Sequence, residues 1–576
     1  MPPAIREGSL VFPKVPVLQA AGPLGLCQMV ETSILNILGY ATLVATNAAR
    51  HRLAAGWKKK LFEFGARRAQ GPDGALTASR YAYLGGFDGT SNVQAAYRHE
   101  IPLAGTMAHA FVSSFASFES LKPATSLLGP SFPNAVLAAR DSVFKLWHEK
   151  NFSQMAKEGE LAAFTAYAMT FPDGFLALVD TYNTLSSGIP NFLAVALALF
   201  QEGHTPQGIR IDSGDLAYLS REARQQFKEC EEAFNFPFSA LHIVVSNDLN
   251  EAAISALNDE GHEADVFGIG TNVVTCQSQP ALGMVYKLVE LEGKPCMKLS
   301  EDVEKTSLPT AKAAYRLYNK AGIPAIDLIQ SASMPPPVCG RQLFCKDLYD
   351  DKKRCFFIPK AVEELLVLLI KDGKLLQPLE SIEVCRRRCI TQLQHFRADH
   401  LRLHCPTEYK PTAYATAEVF PHCRHFPEWR KRENCAKQTR KCVHQTLTRN
   451  RGEEITYTSQ ATTNALPFKR IEGSAVACCC RSGETCEPPA TRIPTTSERC
   501  AGNQTQKPGL AVPHRAMCAA CECGQCMPHS RISSVRRGIS KNAGTPYPRV
   551  RACRSECRNS ATMTIGSLIR HAHRRR

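Results

Sequence analysis

Four short segments of this 576-residue chain combine residue types that do chemistry on anions. Arg67-Arg68-Ala69-Gln70-Gly71-Pro72-Asp73-Gly74 packs two cations into a turn just after the Leu61-Phe62-Glu63-Phe64 stretch. Gly105-Thr106-Met107-Ala108-His109 ends a short apolar segment in small residues that carry one histidine. Arg210-Ile211-Asp212-Ser213-Gly214-Asp215 puts two carboxylates in a tight glycine turn behind an arginine. Gly268-Ile269-Gly270-Thr271-Asn272 is a glycine-rich exit with a hydroxyl beside it. Cations suit an anionic substrate. Paired carboxylates suit Mg2+ or the diol of a ribose, and turn N–H groups suit a phosphate.

Each segment also has a plainer reading. Arg210 alternates with Ile209 and Ile211 and so points to the other face of a strand. An arginine there is costly unless it meets an anion, and Asp212 alone could be that anion in a structural pair. Glycine-rich turns are common, so Gly270 and Thr271 gain weight only from following the Asp212 loop by two strand–helix units. His109 is either a satisfied structural histidine or, beside a phosphate site, an acid, a base or a phosphoryl carrier. Asp180, with Thr181 and Tyr182 after an apolar run, is a second carboxylate site or a helix N-cap.

The elements that must position these residues follow from periodicity. Residues 22–56 read as helical, with Ile34, Leu35, Leu38 and Tyr40 at helical spacing and Thr32 or Ser33 as the cap. A strand is expected at Leu61–Phe64, then a second helical stretch over 75–98 opening near Leu76-Thr77-Ala78-Ser79. From about 160 to 290 one unit repeats four times. An apolar run ends in Asp, Ser, Asn, Gly or Thr, and in at least the first three units a helix follows. The runs are Phe175–Val179, Gly208–Ile211, Leu241–Val245 and Ala264–Ile269. That pattern predicts an α/β fold with a parallel, barrel-type sheet whose carboxyl strand ends carry the active site. Met284–Leu291 and Pro295–Leu299 read as a hairpin around Glu292-Gly293-Lys294.

The formal charge of +16 does not describe the body of the chain. Residues 411–576 hold 28 Lys and Arg against 11 Asp and Glu, whereas residues 1–410 are close to neutral at −1. The cysteines divide likewise, 10 before residue 411 and 14 after it. The basic excess is therefore no argument that the body binds nucleic acid. The scattered body cysteines read as reduced thiols of a cytosolic protein. No apolar run reaches the roughly 20 residues that span a bilayer, and no signal-peptide pattern opens the chain. Beyond residue 410 no helical or strand period persists, which predicts a disordered tail. Its Cys518-x2-Cys521-x-Cys523-x2-Cys526 run has the look of a zinc cluster without surrounding elements to build it on.

Taken in order, E-F-G-A-R-R-A-Q-G-P-D-G, Y-L-G-G-F-D-G-T-S-N-V, G-T-M-A-H, L-V-D-T-Y, R-I-D-S-G-D and F-G-I-G-T-N-V-V-T resemble the nicotinate phosphoribosyltransferase family of vertebrate type, from about residue 8 to about 410. The resemblance implies an incomplete, TIM-like α/β barrel of type II phosphoribosyltransferases with a partial second α/β domain. The divisions expected are 1–60 for part of the second domain and a linker helix, and 61–290 for the barrel. Residues 291–410 would be the rest of the second domain, and 411–576 the tail. It implies transfer of phosphoribose from phosphoribosyl pyrophosphate to nicotinate, coupled to ATP hydrolysis, with Mg2+ or Mn2+, in a cytosolic homodimer serving NAD salvage.

The resemblance also implies roles. His109 would be transiently phosphorylated by ATP. Thr106 and Arg210 would contact nicotinate, and Thr271 with Gly270 would hold the phosphoribosyl donor. Arg67 would lie near the pyridine and phosphate, and Asp212 and Asp180 would face ribose or Mg2+. Asp215 is a further candidate Mg2+ ligand, and Asp212 is the first choice to stabilise positive charge developing on the ribose. Family members carry an N-terminal Thr-Asp-Leu-Tyr-Gln-type segment whose tyrosine stacks on nicotinate across the dimer, and no such motif stands here. Two rival expectations follow: a catalytically inactive fragment, and a nicotinamide-specific enzyme.

Overall fold

The computed structural model describes residues 3–409, except 123–125, 148, 150–151, 299–306 and 349–351, together with 411–414 and 560–568. Its centre is a six-stranded, wholly parallel sheet. The strands run in the order Gly89–Thr90, Lys60–Glu63, Val266–Ile269, His242–Ser246, Gly208–Ile211, Leu176–Leu178. This is an open, curled half-barrel. Its last four strands are the four repeats expected from the sequence, with the 264–269 strand paired to both Lys60–Glu63 and His242–Ser246.

Burial explains why these runs are nearly continuous in apolar residues. Val266–Ile269 is buried along its whole length, and His242–Ser246 at all but its first residue. The helix Ile189–Gln201 is apolar on every face because Ile189 through Phe200 are all buried. Its Phe192 stacks between Phe175 and Phe227, with ring centroids 5.5 and 5.8 Å away. With the π-helical turn Thr184–Gly188 ahead of it, the run Thr184–Gln201 is long and apolar enough to span a bilayer by composition, but 83% of it is buried inside the protein. It is the core helix of the half-barrel.

Boundaries differ from expectation in several places. The first helical stretch breaks into Leu24–Met29 and Glu31–Ala55, and neither Thr32 nor Ser33 caps it, since Val30 occupies that position without a side-chain bond. The second begins earlier, at Gly71, and splits into Gly71–Leu84 and Val93–His99. The break falls at Gly85-Gly86, where a Cβ on Gly85 would lie 2.3 Å from the Ala45 carbonyl oxygen, so the helix ends where it meets the long helix.

The half-barrel also ends earlier than residue 290. Gly283–Leu291 pairs with Lys294–Pro295 as a hairpin, but it belongs to another sheet, ordered Lys294–Pro295, Gly283–Leu291, Ser560–Leu568, Pro16–Pro23, Pro3–Ile5, Leu366–Leu368. A third six-stranded sheet runs Arg354–Phe357, Leu343–Asp347, Pro411–Tyr414, Pro324–Ser331, Lys312–Tyr318, Ala361–Glu364. A helix at Ile382–His395 accompanies them. The third sheet is tied together by Arg316 and Asp327, both fully buried, whose two nitrogen–oxygen contacts are 2.9 Å each. Tyr409 adds a hydrogen bond of 3.0 Å to the same carboxylate.

Of the segment 411–576, the structure describes the strands Pro411–Tyr414 and Ser560–Leu568, so those two stretches depart from the expected disorder. The cysteine run at 518–526 lies outside the described residues.

Candidate active site

Three consecutive strand ends and one helix start build a single corner. Beyond Leu176–Leu178 the chain presents Asp180 and Thr181. Gly208–Ile211 carries Arg210 and then Asp212 and Ser213, and His242–Ser246 ends in Ser246. His109 opens the short helix His109–Val112 after the small residues 105–108. All lie at the carboxyl end of the parallel sheet, where the loops that follow the strands leave room for a ligand.

Arg210 is the hub. Its Nε donates to Ser246 Oγ at 2.8 Å and its Nη2 to Asp212 Oδ1 at 2.8 Å. Its Nη1 makes a longer 3.3 Å bond to Thr106 Oγ1, and the guanidinium carbon lies 5.3 Å from the Phe64 ring centroid. Ser246 Oγ donates in turn to Asp212 Oδ1. The structural reading of Arg210 is realised, since it pairs with Asp212, and its other edge reaches Thr106. Burial pushes the Asp212 carboxyl up, but the Ser246 hydrogen bond and the charge and hydrogen bond of Arg210, with His109 behind, outweigh it and hold the group below the usual carboxylate range.

Asp180 is buried and is no helix cap. Its Oδ2 accepts from the Asp212 N–H at 3.1 Å and from Ser213 Oγ at 2.5 Å, while its Oδ1 has no hydrogen-bond partner among the described residues. His109 faces both carboxylates, with Nε2 3.7 Å from Asp212 Oδ2 and 4.0 Å from Asp180 Oδ1. On the far side of the ring, Nδ1 lies 3.0 Å from Thr181 Oγ1. Sequence reasoning brought His109, Thr106, Arg210, Asp212 and Asp180 to one loop-built site, and the structure brings them together.

The remaining candidates divide. Arg67 sits with Arg68 in a 3-10 turn, exposed and without an ion pair among the described residues. That turn is set by Glu63, whose buried carboxylate accepts from the Gly65 N–H and from Ser79 and Thr90 hydroxyls at 2.7 and 2.6 Å. It adjoins Gly270, because a Cβ on Gly65 would meet the Gly270 carbonyl oxygen at 2.7 Å. Thr271 begins the five-residue helix Thr271–Thr275 directly after the Val266–Ile269 strand. Asp215 instead caps the helix Leu216–Phe234, accepting from the Tyr218 N–H at 2.9 Å, so its carboxylate is already used.

Sequence reasoning missed Ser246, which bonds both Arg210 and Asp212, and gave Thr181 no part toward His109. Ser246 obeys the same rule that singled out Asp212, a polar residue at a strand's carboxyl end. Among the described residues no group of three or more His, Cys, Asp or Glu side chains could by itself hold a metal ion.

The parallel half-barrel gathers an arginine, two carboxylates and a histidine at its strand ends, a site suited to an anionic substrate, and family profiles place the chain among the phosphoribosyltransferases. The profile of the nicotinate phosphoribosyltransferase (NAPRTase) family matches residues 59–174 and 194–325, and that of the nicotinate phosphoribosyltransferase C-terminal domain matches 311–411. The chain belongs to the nicotinate phosphoribosyltransferase family.

Nicotinate phosphoribosyltransferase 2 of Arabidopsis thaliana is 50% identical over 431 residues, 73% of this chain and 77% of that protein. The Homo sapiens nicotinate phosphoribosyltransferase is 46% identical over 417 residues, 71% of this chain and 76% of that protein. The crystal structure of the human nicotinic acid phosphoribosyltransferase superposes with a TM-score of 0.65 at 40% identity, over 74% of this chain and 82% of that one.

Proposed function

We propose that this chain joins nicotinate to phosphoribosyl pyrophosphate, forming nicotinate mononucleotide and pyrophosphate for NAD salvage, and that ATP drives the reaction through His109. The observation that carries the reading is the Arg210 hub. One guanidinium edge is fixed by Asp212 and Ser246, and among the described residues the other has only a 3.3 Å bond to Thr106. That second edge suits a carboxylate, which nicotinate has and nicotinamide lacks. The pyridine nitrogen forms a bond to the ribose anomeric carbon as the bond to pyrophosphate breaks, and the leaving group takes the electron pair. Positive charge develops on the ribose, and Asp212, held ionised, offers Oδ2 to meet it. The Arg67 turn and the adjoining Gly270-Thr271 exit would take the phosphate and pyrophosphate.

Mg2+ fits this donor set as a partly protein-bound ion. Asp180 Oδ1 is buried without a hydrogen-bond partner among the described residues and Asp212 Oδ2 is turned toward the same side, and Mg2+ commonly takes one or two carboxylates plus phosphate oxygens and water. When bound there it would neutralise phosphate charge. Asp215, used as a cap, is left out of that set. A homodimer in a reducing, cytosolic compartment suits the family reading, and the ten cysteines among the described residues are all free thiols.

The test is nicotinate mononucleotide formation with and without ATP by the purified chain and by His109→Ala. Stimulation by ATP is expected in the first and absent in the second. Stimulation that survives the substitution overturns the role given to His109.

A further inference from the structure

The side chain of His109 is 45% exposed, the residue sits at the first position of a four-residue helix, and the residues before it are small. The direct hydrogen bond to its ring comes from one side: Nδ1 lies 3.0 Å from Thr181 Oγ1. The opposite nitrogen, Nε2, is turned toward Asp180 and Asp212 at 4.0 and 3.7 Å.

Thr181 itself stands on a firmly built loop. The preceding Asp180 is bonded by the Asp212 N–H and Ser213. Two residues on, Asn183 accepts from the Ser186 N–H at 2.9 Å and opens the π-helical turn Thr184–Gly188. That turn packs against the strand exit so closely that a Cβ on Gly188 would lie 1.8 Å from the Val179 carbonyl oxygen. Turns of this kind cluster at functional sites. On the far side Ser187 donates to Glu160 at 2.6 Å and accepts from the Lys157 N–H at 2.9 Å.

We propose that Thr181 is a positioning residue for phosphoryl transfer to His109, fixing the ring orientation and the tautomer that leaves Nε2 free to attack. The proposal rests on the reading above, in which His109 accepts a phosphoryl group from ATP. For Nε2 to form a bond to phosphorus its lone pair must be free, so the ring proton must sit on Nδ1. The Asp180 and Asp212 carboxylates draw the proton toward Nε2, and the Thr181 hydroxyl oxygen is the group in place to accept it from Nδ1 instead. In the step the Nε2–P bond forms as the bond from the γ-phosphorus to the β-bridging oxygen breaks. ADP leaves with that electron pair, and Nδ1 keeps its proton, which it donates in a hydrogen bond to Thr181 Oγ1. Hydrolysis then returns the ring and releases inorganic phosphate. Without the hydroxyl the ring loses the acceptor that selects this tautomer and is free to turn within its half-exposed site.

The experiment uses the full chain and ATP labelled in its γ-phosphate, and follows acid-labile, protein-bound label in wild type, His109→Ala, Thr181→Val, Thr181→Ala and Thr181→Ser. Wild type and Thr181→Ser should label at similar rates and His109→Ala not at all. The Val and Ala variants should label about 10- to 100-fold more slowly, the usual cost of removing the partner that orients a functional histidine. In protein carrying 15N-histidine, the signals absent from His109→Ala identify this ring. They should report a proton on Nδ1 in wild type and a mixture of tautomers in the Val and Ala variants, a change that loss of packing alone would not produce. Wild-type labelling matched by Val and Ala overturns the proposal, as does slow labelling of Thr181→Ser. An unlabelled wild type overturns the parent reading and this one with it.

Discussion

Glu160→Gln should flatten the dependence of stability on pH. Glu160 lies on the helix Glu158–Thr170 and is fully buried. Its Oε2 accepts from Ser187 Oγ at 2.6 Å and Asn191 Nδ2 at 3.1 Å, while Oε1 has no partner among the described residues. Burial pushes its carboxyl up to about 7, the two hydrogen bonds pull against that, and the charge of Asp180 adds to the rise. The folded value stands above the unfolded value of 4.5. The stabilisation is therefore complete below that unfolded value and is lost as pH rises through about 7. At about 1.4 kcal/mol per tenfold change, the whole effect is roughly 3 kcal/mol, most of which falls between about pH 5 and pH 8. Gln cannot ionise. Its amide nitrogen will lack an acceptor, at a cost of about 1 to 3 kcal/mol that does not vary with pH. The readout is therefore the difference between unfolding free energies at the two pH values, measured by urea titration of both proteins. Wild type should lose about 2 to 3 kcal/mol more than the variant over that interval. Parallel losses would refute the assignment of a buried, neutral carboxyl to Glu160.

Other substitutions probe other links in the chain of argument. Ser246→Ala removes a hydrogen bond from both Arg210 and Asp212, so the Asp212 carboxyl should rise, shifting the acid limb of the pH–rate profile upward and lowering kcat/KM by about tenfold. Arg316→Met leaves the buried Asp327 carboxyl without its cation at the centre of the third sheet, and should cost about 3 to 5 kcal/mol in chemical denaturation. Gly188→Ala forces a methyl group into the Val179 carbonyl and should displace Asp180 and Thr181. Soluble yield and melting temperature should both fall, with a loss above about 3 kcal/mol.

The half-barrel was legible in the sequence because its strands are buried on both faces and end in polar residues. Phe175–Val179, Gly208–Ile211, Leu241–Val245 and Ala264–Ile269 carry that mark without tertiary context. The Arg210–Asp212 pair was legible for a related reason, since an arginine between two buried isoleucines must have a partner. Asp215 misled because a carboxylate at a helix start reads equally as a ligand and a cap, and only the 2.9 Å bond from Tyr218 decides. The helix break at Gly85 was not legible because it comes from close packing against the Ala45 carbonyl rather than from a local cap. Glu160 and Thr181 act through residues distant in sequence, so no spacing announces them. The sheet membership of Gly283–Leu291 was hidden likewise, since a hairpin pattern fixes local pairing and not the sheet it joins.

The most direct test of the central claim is the yield of nicotinate mononucleotide and pyrophosphate from nicotinate and phosphoribosyl pyrophosphate, with Mg2+, by the purified chain. Nicotinamide is offered in a parallel reaction, and Arg210→Ala runs beside the wild type. The account predicts equal amounts of both products from nicotinate, little from nicotinamide, and a fall in kcat/KM of about 100-fold or more in the variant. No product from the folded chain, or equal rates with both pyridines, would contradict it.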